Sequence, residues 1–169
     1  VGGDRVFVVT IDNQTVAFDA GSGKKLWTHS GVSEVAGLLG GASPALVGNT
    51  VIIPYSSAEL VALRVKNGRV VWSDSLAFVR KTDTLSTVAH IRGHPVVDSG
   101  MVYAVSHSGR LVAIDLRTGA RIWDRAIGGS ETPWVAGNFV YVLGNDGDLY
   151  CLTRLGGRGR RPRRARRPS

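Results

Sequence analysis

Met101-Val102-Tyr103-Ala104-Val105-Ser106-His107-Ser108-Gly109-Arg110-Leu111-Val112-Ala113-Ile114-Asp115-Leu116-Arg117-Thr118-Gly119-Ala120-Arg121-Ile122-Trp123 reads as three strands and two turns. Met101–Ser106 is rich in branched and aromatic residues. Ser108-Gly109 is a hairpin signal, and Arg110–Asp115 has the two-residue period of a half-buried strand. Arg117-Thr118-Gly119 turns the chain again, glycine supplying the positive φ, and 120–123 starts the next strand.

The same phrase occurs three times. Trp27, Trp72 and Trp123 each follow a glycine by four residues (Gly23, Gly68, Gly119) and a strand-opening valine by 21 (Val6, Val51, Val102). A fixed internal offset in successive copies marks one supersecondary unit used repeatedly, and the spacings of 45 and 51 residues suit four-stranded propeller blades. Segments 43–47 and 94–97 are expected to supply the outermost strand of the previous or next blade. A fourth copy opens at Val140 and keeps its turn glycine at Gly157, but Arg161 stands where the tryptophan is due. No stretch keeps a helical period, so the chain reads as all-β.

The net charge of +8 suggests nucleic acid at first sight. Seven arginines, however, lie between Leu155 and the end with no acid among them; without them 14 Lys and Arg face 13 Asp and Glu. The propeller is therefore assigned to 1–158 and a basic, disordered tail to 159–169. Two readings of that tail stand open: a basic arm for nucleic acid or an acidic membrane surface, or a shifted reading frame that ends the repeat. No nucleic-acid partner is expected of the body. Both ends read as cut: the chain opens in a turn without methionine, and four repeats are a piece of a closed ring. No apolar targeting segment and no run long enough to cross a bilayer is read in these residues, which decides nothing about compartment. The single cysteine, Cys151, excludes an internal disulfide and is expected as a small core residue.

Enzymatic motifs fail on spacing. Gly21-Ser22-Gly23-Lys24 lacks the first glycine and the final Ser or Thr of a phosphate loop. His90 and His94 are four apart without a helix to align them, and no HExxH or GxSxG occurs. Asp19 and Asp115 share a repeat position, which marks turn chemistry. The tryptophans are assigned to packing between blades, because a ligand site would differ from blade to blade.

The phrase from Leu111 to Trp123 resembles the repeat of quinoprotein-type eight-bladed propellers, which gives the expected fold: about four quinoprotein-like blades of an eight-bladed ring. Two families share this repeat: pyrroloquinoline-quinone dehydrogenases, and the BamB lipoproteins of the outer-membrane β-barrel assembly machinery. His90-Ile91-Arg92-Gly93-His94-Pro95-Val96-Val97 and Gly128-Gly129-Ser130-Glu131-Thr132-Pro133-Trp134-Val135-Ala136-Gly137-Asn138 are similar to the BamB middle region. The 38-residue step from Val102 to Val140 fits its short link between blades. The resemblance implies a non-enzymatic scaffold at the periplasmic face of the outer membrane, without cofactor, held to the membrane only through an N-terminal lipid anchor. It implies binding to the periplasmic POTRA domains of the central barrel protein. Of the family's Leu-x-Leu-Arg loop phrase only Leu38 matches, beside Leu39; its Asp-x-Asp is here His90-Ile91-Arg92. Leu38, Leu39, His90 and Arg92 are thus the expected partner-binding residues, the leucines reading equally as loop residues tucked under a blade. A fragment of a quinone-dependent dehydrogenase is the alternative; its adjacent cysteines do not occur in this sequence.

Overall fold

The computed structural model describes residues 4–32, 42–77 and 90–160. These residues form four antiparallel sheets without a helix. The first sheet holds β1 (Arg5–Val9), β2 (Gln14–Asp19) and β3 (Lys25–Ser30). The second runs β4 (Ala45–Val47), β5 (Thr50–Pro54), β6 (Glu59–Arg64) and β7 (Val70–Ser75). The third runs β8 (Val96–Asp98), β9 (Met101–Ser106), β10 (Arg110–Asp115) and β11 (Arg121–Arg125). The fourth runs β12 (Trp134–Ala136), β13 (Phe139–Leu143), β14 (Leu149–Thr153) and β15 (Gly159–Arg160), two residues beyond the expected boundary at 158.

Every strand pairs with its sequence neighbour, and the sheets meet through their first strands: β4 touches β8, and β8 touches β12. The chain is a four-bladed part of a β-propeller. One expectation is corrected. Segments 43–47 and 94–97 do not donate an outer strand to another blade; β4 and β8 are the inner strands of their own sheets, paired in register with β5 and β9.

The repeated residues form one repeated joint. The Trp27 indole N–H donates to the Val65 carbonyl at 2.9 Å, Trp72 to Leu116 at 2.7 Å and Trp123 to Arg154 at 2.8 Å. Each acceptor lies three residues before the turn glycine of the following blade. A Cβ on Gly68, Gly119 or Gly157 would stand 2.5–2.7 Å from the tryptophan of the preceding blade. These glycines also have φ of 68°, 75° and 57°, so both backbone and space demand them. Trp72 and Trp123 are buried and Trp27 is half-buried, with the same type of partner in each case. Trp27, Trp72 and Trp123 pair with Ala17, Ala62 and Ala113, and the register slips immediately afterwards. This bulge leaves Leu26, Val71 and Ile122 as the extra, exposed residues.

The core lies between blades as layers. Val51, Ile53, Val61 and Leu63 pack on Phe7, Val9 and Trp27 of the first blade. Ile52, Leu60, Ala62 and Trp72 pack on Val102, Ala104, Val112 and Ile114 of the third. Met101, Tyr103, Val105, Leu111 and Trp123 pack on Val140, Val142 and Leu152 of the fourth. Successive residues thus enter opposite layers, as a two-residue period requires. Arg110–Asp115, expected to be half-buried, is covered on both faces because a blade stands on either side. Cys151 is a second correction. It is half-buried, on the face of β14 turned away from Val140 and Leu152, and so lies outside the core layer.

The joint makes a differential prediction. Gly23 (φ 69°) has nothing within 4 Å of an added Cβ, whereas Gly119 would meet Trp72 Cβ at 2.5 Å. Gly23→Ala should cost only backbone strain, about 1–2 kcal/mol. Gly119→Ala should cost about 1–3 kcal/mol more from overpacking. Urea unfolding followed by tryptophan fluorescence measures both, and equal losses would remove the glycine from the joint.

Candidate functional site

Each blade after the first is led in by the same device. Ser43-Pro44, His94-Pro95 and Thr132-Pro133 immediately precede β4, β8 and β12. Proline fixes φ and needs no donor, which suits the residue before a short inner strand. The lead-ins are cross-linked. Ser43 N–H donates to His94 Nδ1 at 2.9 Å, and His94 N–H donates to Thr132 Oγ1 at 3.0 Å. Gly93 passes so close to the next lead-in that a Cβ would meet the Glu131 carbonyl oxygen at 2.4 Å. Sequence reading missed this ladder; its signal was a proline one residue ahead of each inner strand.

The expected partner-binding residues fall in and around these segments. Leu38 and Leu39 lie outside the described residues. His90 is 3% exposed, and its carbonyl accepts from His107 N–H at 2.7 Å. Its Nε2 has no hydrogen-bond partner among the described residues. Ile91 is buried in the layer between the second and third blades. Arg92 is exposed, and Gly93 is buried again. The run 90–93 therefore presents Arg92 from a backbone held on either side. His90, one of the expected partner-binding residues, thus lies beneath the surface, with the adjacent Ile91 in the core.

The same end of the blades carries further polar fastenings. Asn145 Nδ2 donates to the His107 carbonyl at 2.8 Å, and His107 Nδ1 lies 3.0 Å from Ser130 Oγ. Asn13 Nδ2 donates to the Val32 carbonyl, while its Oδ1 accepts from the backbone and hydroxyl of Ser56. Tyr55 hydroxyl lies 2.8 Å from Thr15 Oγ1 and 2.9 Å from His29 Nδ1, with the two rings stacked at 6.1 Å. Gly31 crosses that tyrosine ring, where a Cβ would meet it at 2.7 Å. Burial raises the Tyr55 hydroxyl above its ordinary value. Burial also lowers His29, opposed by the nearby Glu59 carboxylate. These groups tie blade to blade. Among the described residues no three His, Cys, Asp or Glu side chains gather as a metal site. The arrangement is a polar rim fastened from blade to blade.

Comparison with known proteins gives a consistent result. The profile of one family, described as outer membrane protein assembly factor BamB, matches residues 1–161. BamB of Alkalilimnicola ehrlichii is 29% identical over 120 residues, covering 71% of this chain and 31% of that protein. The crystal structure of BamB from Moraxella catarrhalis superposes with a TM-score of 0.85 at 26% identity, over 94% of this chain and 48% of that one. Quinohemoprotein alcohol dehydrogenase from Comamonas testosteroni superposes with a TM-score of 0.71 at 17% identity, over 94% of this chain and 34% of that one, a likeness of fold alone. The chain spans between 31% and 39% of the length of the curated BamB relatives it matches.

His29 provides a test of the rim. Its lowered value means that the folded state resists protonation. Its contribution is complete above the unfolded value, about 6.5, and declines as pH falls toward the folded one. An NMR titration should place the His29 inflection below that of an unstructured histidine. Thermal stability should fall as pH drops below about 6.5, with a smaller fall in His29→Gln. An inflection at or above the ordinary value would contradict the packing described.

Proposed function

The chain belongs to the family of the outer membrane protein assembly factor BamB, and on that premise we propose that it supplies four blades of a non-enzymatic scaffold for outer-membrane protein assembly. The scaffold works at the periplasmic face of the outer membrane and binds the periplasmic POTRA domains of the central barrel protein. The observation that carries this reading is the family match across residues 1–161. The geometry supports a scaffold role: interlocked blades hold a polar rim of lead-in segments, and Arg92 projects from that rim between buried neighbours. A backbone held on either side lowers the ordering cost of binding, and arginine presents a planar fork to carboxylates. Leu38 and Leu39, which lie outside the described residues, are proposed as an apolar anchor for the same partner.

Two measurements test the proposal. Calorimetric titration of the isolated POTRA domains should show Leu38→Asp weakening binding by about 1–3 kcal/mol. Arg92→Glu should act mainly on the association rate, with the largest effect at low salt. Circular dichroism checks the fold of each variant, and unchanged affinity and rate in both would reject this face. The dehydrogenase reading rests on fold likeness, so added pyrroloquinoline quinone and calcium should leave tryptophan fluorescence unchanged. Saturable quenching together with dye-linked alcohol oxidation would put that reading first.

A further inference from the structure

The opposite end of the blades holds a cleft of about 470 Å³ between the second and third blades. Asn49, Arg64, Lys66 and Val71 line it from one side, Leu116 and Arg117 from the other. Arg64, Lys66 and Arg117 are exposed, and none has an ion-pair partner within 4 Å among the described residues. The carboxylate on that side, Asp115, is engaged by its own turn: its Oδ1 accepts from Thr118 N and Oγ1, both at 2.7 Å.

The repeat shows which of these residues departs from the scaffold. Arg64 occupies the position of Asp19 in the first blade and Asp115 in the third. Those aspartates close their turns, Asp19 accepting from Ser22 N at 2.7 Å and Ser22 Oγ at 2.6 Å. With Arg64 the carboxylate bonds are lost, and what the second blade keeps is the bond two residues on, Arg69 N–H to Asn67 Oδ1 at 3.2 Å, the counterpart of Lys24 N–H to Ser22 Oγ and Ala120 N–H to Thr118 Oγ1. The change reverses the charge at one turn and leaves a cationic rim there. At the next blade boundary Arg154 is instead paired with Asp98.

We propose that this cleft is a docking site for an acidic peptide segment of a protein partner, its carboxylates taken by Arg64, Lys66 and Arg117 and its apolar side chains by Val71 and Leu116. A volume of about 470 Å³ is far more than a single small anion fills, and Val71 and Leu116 add apolar wall to the three cations, which suits a peptide carrying both acidic and apolar side chains. Clefts lined by one sign of charge concentrate opposite charge, and arginine binds carboxylates through two parallel hydrogen bonds. The site lies at the end of the blades away from Arg92, so the proposal does not rest on the POTRA contact proposed above.

The test uses the full 169-residue chain and a fluorescein-labelled peptide alternating Asp or Glu with Leu, followed by anisotropy at low salt. Arg64→Asp restores the residue of the neighbouring repeats, so the fold should persist by circular dichroism. Both Arg64→Asp and Arg117→Glu are expected to weaken binding at least about tenfold, the loss of roughly 1.4 kcal/mol of contact. Lys24→Glu, on the first blade, should stay within about twofold, a change worth less than half as much. The C-terminal arginines are common to all variants, so they cannot produce this pattern. Arg64→Asp and Arg117→Glu both binding like the parent would overturn the proposal. So would equal competition by a peptide with Asn and Gln in place of the acids, or by pyrophosphate at the same molar concentration. If Arg64→Asp fails to fold, Arg117→Glu alone decides.

Discussion

The fold depends on one joint, the tryptophan of each blade seated on the turn glycine of the next. The indole hydrogen bond is the smaller part of its energy, about 1 kcal/mol net. Removing a buried tryptophan ring costs about 3–5 kcal/mol, so packing dominates. The hydrogen bond supplies direction: it places each ring under one carbonyl, and the glycine three residues on leaves room for it. Because the joint links neighbours only, the blades act as a nearest-neighbour array in which every interface resembles the last.

The blades at the two ends differ from those between them for the same reason. The second and third sheets bury residues on both faces, so the interior positions of β5, β6, β9 and β10 are apolar and their polar residues stand at the strand ends. The first and fourth have a covered face on one side only. On the other, Val8, Phe139, Leu143 and Leu149 are 43–52% exposed. In the fourth sheet these residues stand where Met101, Val105 and Leu111 stand in the third, positions the fourth blade covers. They match the repeat in kind, and what differs is the neighbour.

Much of this was legible from residue spacing. The offset from valine to glycine to tryptophan located β5 to β7 and β9 to β11 and identified the joint. The inner strands were misassigned because β4 and β8 have three residues each, too few for any periodicity to show. Their signal was the preceding proline, which speaks only once the copies are aligned. His90 was placed among the partner-binding residues because it aligns with the family's Asp-x-Asp phrase, yet it is buried beside Ile91. Cys151 was read as core because strand cysteines usually are; its face of β14 is the one that the third blade does not reach.

A repeat fold also makes departures informative, because each position has internal copies against which to judge it. Asp19 and Asp115 are half-buried, and hydrogen bonds from Ser22 and Thr118 hold both carboxyls below their ordinary range. Turn geometry therefore suits a hydrogen-bond acceptor at this position, an acid in the first and third blades and the Thr153 hydroxyl in the fourth, and Arg64 offers none. Its hydrogen-bonded register with Thr50 is that of its counterparts, so the backbone is not the cause. What changes is the field outside the turn. A residue that gives up a local hydrogen bond and leaves its charge facing an apolar cleft is placed for something the cleft receives. The constant residues of the blades hold the array together, and the inconstant ones at its two ends distinguish one surface from the other.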